Sequence, residues 1–226
     1  FGSLAATDRP GYREPFEPLM PGVCFVAPGD AAAARAAVSR ERSAAIIAEP
    51  VQGEGGVHPL EPEYLAFLRE LADEAGAALI LDEVQCGLGR TGTLFAYEQT
   101  GVVPDMVTLA KPLAGGLPMG AVLLSERIAE AIQPGDHGTT FGGGPLVSSV
   151  ALAVLERIAA PGFLAEVRRK GEVVRAVLEG WVGRYGVVEA RGRGLMRGIE
   201  LDRPVAPVVE RAREAGVLVA AAGERV

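Results

Sequence analysis

Histidine, cysteine and tryptophan are nearly missing from this chain of 226 residues, which carries two histidines, two cysteines and one tryptophan. Cys24 and Cys86 form no CxxC pair and no disulfide framework, so free thiols in a reducing compartment are the expectation. No metal site is read from the sequence. A basic tract is missing too: 22 lysines and arginines stand against 29 acids, a net charge of −7 that makes nucleic acid an unfavoured partner. Residues 1–10 have no basic head followed by an apolar run, so they do not read as a signal peptide. The uncharged run 137–155 is long enough to raise the question of a membrane span. It holds Gly142, Gly143, Gly144, Pro145 and two serines, and reads as a loop feeding a helix. The expectation is a soluble, cytoplasmic protein with no membrane partner.

The chain is 49% hydrophobic and 23% charged, and is long enough for one large domain or two small ones with a real core. Its 30 glycines and 16 prolines imply many tight turns. Residues 1–30 are turn-rich, with only Val23 to Val26 resembling a strand, and the start at Phe1 without a methionine suggests a missing beginning. A short alanine-rich helix is expected over 31–40 and a buried strand over 44–48, ending on Glu49-Pro50. Pro62 and the leucine stripe Leu65, Leu68, Leu71 predict a helix that stops at Gly76. A strand over 78–84 then completes a βαβ unit whose two strands run parallel.

That second strand is the centre of the reading. Ala78-Leu79-Ile80-Leu81 runs straight into Asp82-Glu83-Val84-Gln85, and a second apolar run over 106–110 ends on Lys111. In open α/β sheets the ligand crevice lies outside the carboxyl ends of the strands. Two neighbouring strands ending on Asp82 and Lys111 therefore bring a carboxylate and an amine to one pocket. Pyridoxal phosphate needs such a pair: a lysine to hold its aldehyde as a Schiff base, and an acid to keep its ring nitrogen protonated. Many α/β proteins also end strands on an acid or a base without any such role.

Two further stretches have competing readings. Gly87-Leu88-Gly89-Arg90-Thr91-Gly92 matches the dinucleotide-binding GxGxxG. Asp82 and Glu83 just upstream would face a pyrophosphate, however, and the segment after Gly92 is too short for a crossover helix. Thr139 and Thr140 with Gly142 to Gly144 precede a Pro-started helix over 146–158. This loop is either a phosphate cradle of hydroxyl and backbone N–H groups or an ordinary capped loop. Strand 121–124 precedes it, with Ser125 reading as N-cap of a helix through Ile132. From Gly162 onward the chain predicts a long charged helix over 162–183, strand–turn–strand over 187–201, a helix over 205–215 and a strand over 216–221. The expected division is 1–160, part of a larger domain, and 161–226, part of a smaller α+β domain.

Taken together, Glu49-Pro50-Val51-Gln52-Gly53-Glu54-Gly55-Gly56, Leu81-Asp82-Glu83-Val84-Gln85 with Gly89 to Gly92, Leu109-Ala110-Lys111 and Gly138 to Gly143 resemble class III pyridoxal-phosphate aminotransferases. The likeness is greatest to acetylornithine aminotransferases and to relatives acting on carrier-bound lysine. It implies a fold-type I α/β architecture, a mostly parallel sheet sandwiched by helices. The implied activity is transamination of an N-acylated ornithine or carrier-bound lysine side-chain amine with 2-oxoglutarate, in arginine or lysine biosynthesis. Ornithine, succinylornithine or 4-aminobutyrate as donor, and an inactive cofactor-free paralogue, are the alternatives. By the resemblance Lys111 is the Schiff-base lysine and proton shuttle, Asp82 pairs with the pyridinium nitrogen, Gln85 binds the ring's phenolic oxygen, and Val84 packs on the ring. Thr140 reaches the cofactor phosphate of the neighbouring subunit in a homodimer, Thr139 lies next to the substrate, and Glu54 is a gate that pairs with an arginine. Cys86, His58 and His137 are given no catalytic role, and Trp181 is read as packing.

The resemblance also places a phosphate-binding loop, a ring-stacking aromatic residue and a substrate arginine upstream of Phe1, and the arginine partner of Glu54 beyond Val226. Gly144 stands where relatives commonly carry an asparagine. The chain alone is accordingly expected to be poorly active or inactive.

Overall fold

The structure, a computed structural model, describes residues 1–38 and 43–226. A four-stranded sheet holds strands β1 (Ala45–Ala48), β2 (Ala78–Asp82), β3 (Met106–Leu109) and β4 (Ala121–Leu124) in that spatial order. β1, β2 and β3 run parallel and β4 lies antiparallel beside β3. Helix α1 (Pro62–Ala75) crosses from β1 to β2, as the leucine stripe predicts. Pro62 and Glu63 occupy its first turn, and Gly76 closes it at φ 68, a left-handed cap that a residue without Cβ adopts freely. Leu65, Leu68 and Leu71 of α1 pack with Leu79 and Leu81 of β2 in one buried cluster. Each such leucine contributes about 1.5–3 kcal/mol by leaving water.

Helices α2 (Pro145–Ala159) and α3 (Phe163–Glu179) follow the sheet. Then come the antiparallel hairpin β5 (Val187–Arg193) and β6 (Met196–Leu201), and helix α4 (Ala206–Glu214). The hairpin docks on the rest of the chain. Leu195 N–H donates to Arg90 O at 3.0 Å and Arg193 Nη2 to Leu60 O at 3.2 Å. Among the described residues no single helix is long and apolar enough to cross a membrane.

Several expectations need correction. β1 forms where expected but is not buried: Ile47 is 51% exposed, because β1 is an edge strand with one uncovered face. The segments 23–26 and 216–221 are irregular, since neither finds a ladder partner among the described residues. Hydrophobic side chains do not suffice there; Leu218 is 86% exposed. The helix after Ser125 ends at Ala129, and the Ser125 side chain makes no cap bond. The helix expected over 31–40 runs Ala31–Ala37, and residues 39–42 lie outside the described residues. Trp181 is 38% exposed, so it is covered over most of its surface but lies outside the buried core.

Candidate active site

Parallel neighbours release their chains at the same end of a sheet, and here that end gathers the polar residues. Asp82 is the last residue of β2 and pairs in register with Thr108 of β3. Lys111 lies just beyond β3 and opens a short 3-10 turn, Lys111–Ala114. Its φ of 38 is in the left-handed region, a strained conformation for a residue with a Cβ. In β3, opposite Asp82, the Thr108 hydroxyl is buried with no hydrogen-bond partner among the described residues. On the other side of β2, Ala48 pairs with Leu81, so Glu49 stands beside Asp82.

The half-buried Asp82 carboxylate accepts the Val84 N–H at Oδ1, 2.9 Å, and its other oxygen takes no hydrogen bond among the described residues. Gln85 Nε2 donates to Glu54 Oε1 at 3.3 Å. The two meet because Gly53 brings its backbone against the Gln85 amide: a Cβ there would lie 1.9 Å from Gln85 Oε1. Glu49 Oε2 accepts the Gly53 N–H at 3.1 Å. Burial pushes the Glu49 carboxyl up, the Gly53 bond pulls it back, and Asp82, Lys111 and Glu54 all act on it electrostatically. These four charged groups therefore form one cluster. Glu49 was read from the sequence only as part of a motif; its signal is the same as that of Asp82, an acid at the end of an apolar strand.

Glu83 points the other way, into the protein. It is buried and accepts the N–H groups of Ala96 at 2.7 Å and Tyr97 at 2.8 Å, fastening the 87–97 segment under the site. That segment is a set of turns with Leu88 at φ 52, and only the one-turn 3-10 helix Ala96–Gln99 stands between Gly92 and β3, too short for the crossover helix of a dinucleotide-binding GxGxxG. Both cysteines are free, and burial pushes the Cys86 thiol up to about 12, so it stays protonated. Thr139 and Thr140 stand exposed in the loop ahead of α2. No hydrogen bond among the described residues ties either side chain to Asp82, Gln85 or Lys111.

An amine, a carboxylate with one free oxygen and an adjustable amide thus converge at one sheet end. The sheet is that of the fold-type I pyridoxal-phosphate enzymes. A family description, Aminotransferase class-III, matches residues 1–226, and the chain belongs to that family. It is 53% identical over 224 residues to the mitochondrial acetylornithine aminotransferase of Alnus glutinosa, covering 99% of this chain and 50% of that protein. Against the acetylornithine aminotransferase of Methanocaldococcus jannaschii the identity is 48% over 218 residues, 96% of this chain and 54% of that protein. In three dimensions it is similar to the Toxoplasma gondii ornithine aminotransferase described with partial occupancy of PLP at its active site. The TM-score is 0.91 with 32% identity, covering 98% of this chain and 54% of that one. The chain spans about half the length of the curated relatives it matches.

Proposed function

We propose that the full-length protein is a pyridoxal-phosphate-dependent aminotransferase that moves the side-chain amino group of an N-acylated ornithine to 2-oxoglutarate. The observation that carries this reading is the delivery of Asp82 and Lys111 by adjacent parallel strands, beside the hydrogen-bonded pair Gln85 and Glu54. Relatives named acetylornithine aminotransferase, at 48% and 53% identity, support the donor class. A carrier-bound lysine offers the same chemistry, a terminal amine on an acylated amino acid, so the reading extends to arginine or lysine biosynthesis.

When bound, the cofactor supplies an electron sink and a carrier for the amino group. Asp82, with one oxygen held by the Val84 N–H, would keep the ring nitrogen protonated through the other. Gln85 would hydrogen-bond the phenolic oxygen, and Val84 would pack on a ring face. Lys111 would hold the aldehyde carbon. As a free amine it would take up and return a proton at the amine-bearing carbon of the donor. The exposed Thr140 would reach a phosphate in a neighbouring subunit, with Thr139 and Glu54 beside the substrate, which makes a homodimer part of the proposal. Placement in the cytoplasm belongs to it as well and is supported by two free thiols. The reading takes residues 1–160 as part of the cofactor-binding domain and 161–226 as part of a smaller one.

Borohydride reduction of the full-length protein with pyridoxal phosphate, followed by peptide mapping, tests the reading. Label fixed at Lys111 is expected. Its absence from Lys111 would leave a cofactor-free paralogue. A panel of amine donors then separates acylated ornithine from free ornithine, the second reading, which the likeness to the Toxoplasma gondii enzyme favours.

A further inference from the structure

The loop that carries Glu54 is gripped from the far side by the β5–β6 hairpin, and the grip is built around Arg191. The Arg191 side chain is only 8% exposed. Its Nε donates to Gly56 O at 2.8 Å, and its Nη1 donates to Glu189 Oε2 at 2.6 Å and Glu200 Oε2 at 2.9 Å. Glu200 is held in turn by Arg225 Nη2 at 2.7 Å. The bond from Arg191 keeps the Glu200 carboxyl below its ordinary range. A guanidinium stays charged and presents its donors in a rigid fork, so two carboxylates on one side fix the direction of Nε on the other.

What Nε holds is a strained turn. Gly56 has φ 118, and Val57, a β-branched residue, sits at φ 56, a conformation that persists only when its surroundings impose it. The hairpin does so at close range: a Cβ on Gly198 of β6 would lie 3.0 Å from Val57 Cγ2. On the opposite side the backbone of Gly53 rests against Gln85. The Glu54 carboxylate between them is exposed and, among the described residues, takes a single hydrogen bond, the long one from Gln85 at 3.3 Å, while the Glu54 backbone carbonyl accepts from Arg9 Nη2. Its direction is therefore set by the backbone of the loop.

We propose that Arg191 is a positioning residue for Glu54: through the Gly56 carbonyl it fixes the 53–57 loop and thereby sets which amine donors the site accepts. This rests on the aminotransferase reading, with Glu54 next to the substrate.

The test uses R191M, R191K and E54Q in the full-length protein with pyridoxal phosphate. The N–H groups of Gly56 and Val57 both donate to Gly53 O at 3.1 Å, so their hydrogen exchange reports the loop directly. R191M is expected to speed that exchange by roughly tenfold or more, the factor a charge-assisted bond supplies, while the amides of β2 keep their rates. R191K, which retains a donor, falls between. The ratio of kcat/KM for an N-acylated ornithine to that for glutamate should move in R191M as it does in E54Q, and the double variant should go no further. Unchanged exchange in a folded R191M overturns the proposal, as does faster exchange with a donor ratio that does not follow E54Q. If R191M fails to fold, R191K carries the exchange measurement, and unchanged rates there overturn it equally. Should E54Q itself leave the ratio untouched while the loop is freed, the clamp stands, and the role assigned to Glu54 in the aminotransferase reading is what fails.

Discussion

Glu83 Oε2 accepts the backbone N–H of Ala96 at 2.7 Å, so a carboxyl one residue from the site is spent inside the protein, on a turn. Burial pushes this group from 4.5 up to about 7, although the N–H bonds of Ala96 and Tyr97 pull it back. A carboxyl that binds its proton more tightly when folded stabilises the fold below its unfolded value, and that contribution is lost as pH rises through its folded value. The window here is 4.5 to about 7, and the gap is worth roughly 3 kcal/mol. Glu83→Gln keeps the volume and removes the titration. Urea melts should show wild type losing stability relative to E83Q between the low and high ends of that window. A constant difference between the two proteins would contradict the assignment.

Asp82→Asn separates the structural from the chemical part of the site. An asparagine oxygen still accepts the Val84 N–H, so the end of β2 keeps its shape. The negative charge that would hold a ring nitrogen protonated is gone. A charge-assisted bond contributes roughly 1.5–3 kcal/mol, which corresponds to about tenfold to a hundredfold weaker cofactor retention. Equilibrium dialysis with pyridoxal phosphate and a thermal melt of the full-length protein check this: the first should change strongly and the second little.

The strands β2 and β3 and their polar ends were legible because each is a short apolar run broken by a charge, a local pattern with one physical meaning. The hairpin was legible for a similar reason, since glycines interrupt two alternating runs near Gly192 and Gly194. Segment 216–221 has equal apolar content and forms no strand, because a strand exists only with a partner, and pairing is not written in local composition. Glu49 was legible only as a strand end within a motif, and Arg191 was not singled out, for the same cause at longer range. What Arg191 does depends on Gly56, far away in sequence, and what Glu49 does depends on the register that sets it beside Asp82.

Gly53→Ala should damage the site without damaging the fold. The new Cβ would fall 1.9 Å from Gln85 Oε1, the far end of a flexible side chain that can swing aside. Gln85 then loses its position against Glu54. The stability change is expected to stay within about 1 kcal/mol, as for substitutions that break no packed contact. The visible spectrum of the full-length protein with pyridoxal phosphate should shift, because Gln85 is the partner of the phenolic oxygen. A wild-type spectrum would place Gln85 elsewhere.

Gly194→Ala and Gly101→Ala form a matched pair that isolates the hairpin dock. Both glycines have positive φ, 53 and 74, so each alanine carries a left-handed penalty of about 1–2 kcal/mol. At Gly101 nothing lies within 4 Å of the added Cβ, and that penalty is the whole cost. At Gly194 the Cβ would meet the backbone of Thr91 at 2.5 to 2.7 Å, and backbone cannot rotate out of the way. The hairpin would have to lift, breaking the bond from Leu195 N–H to Arg90 O and the seat of Gly194 O against Gly171. Gly194→Ala is therefore expected to cost several kcal/mol, roughly 3 or more, against about 1–2 for Gly101→Ala. Denaturant melts of the two full-length variants measure the difference. Equal midpoints would mean that the hairpin is not held to the 87–92 turns by this contact.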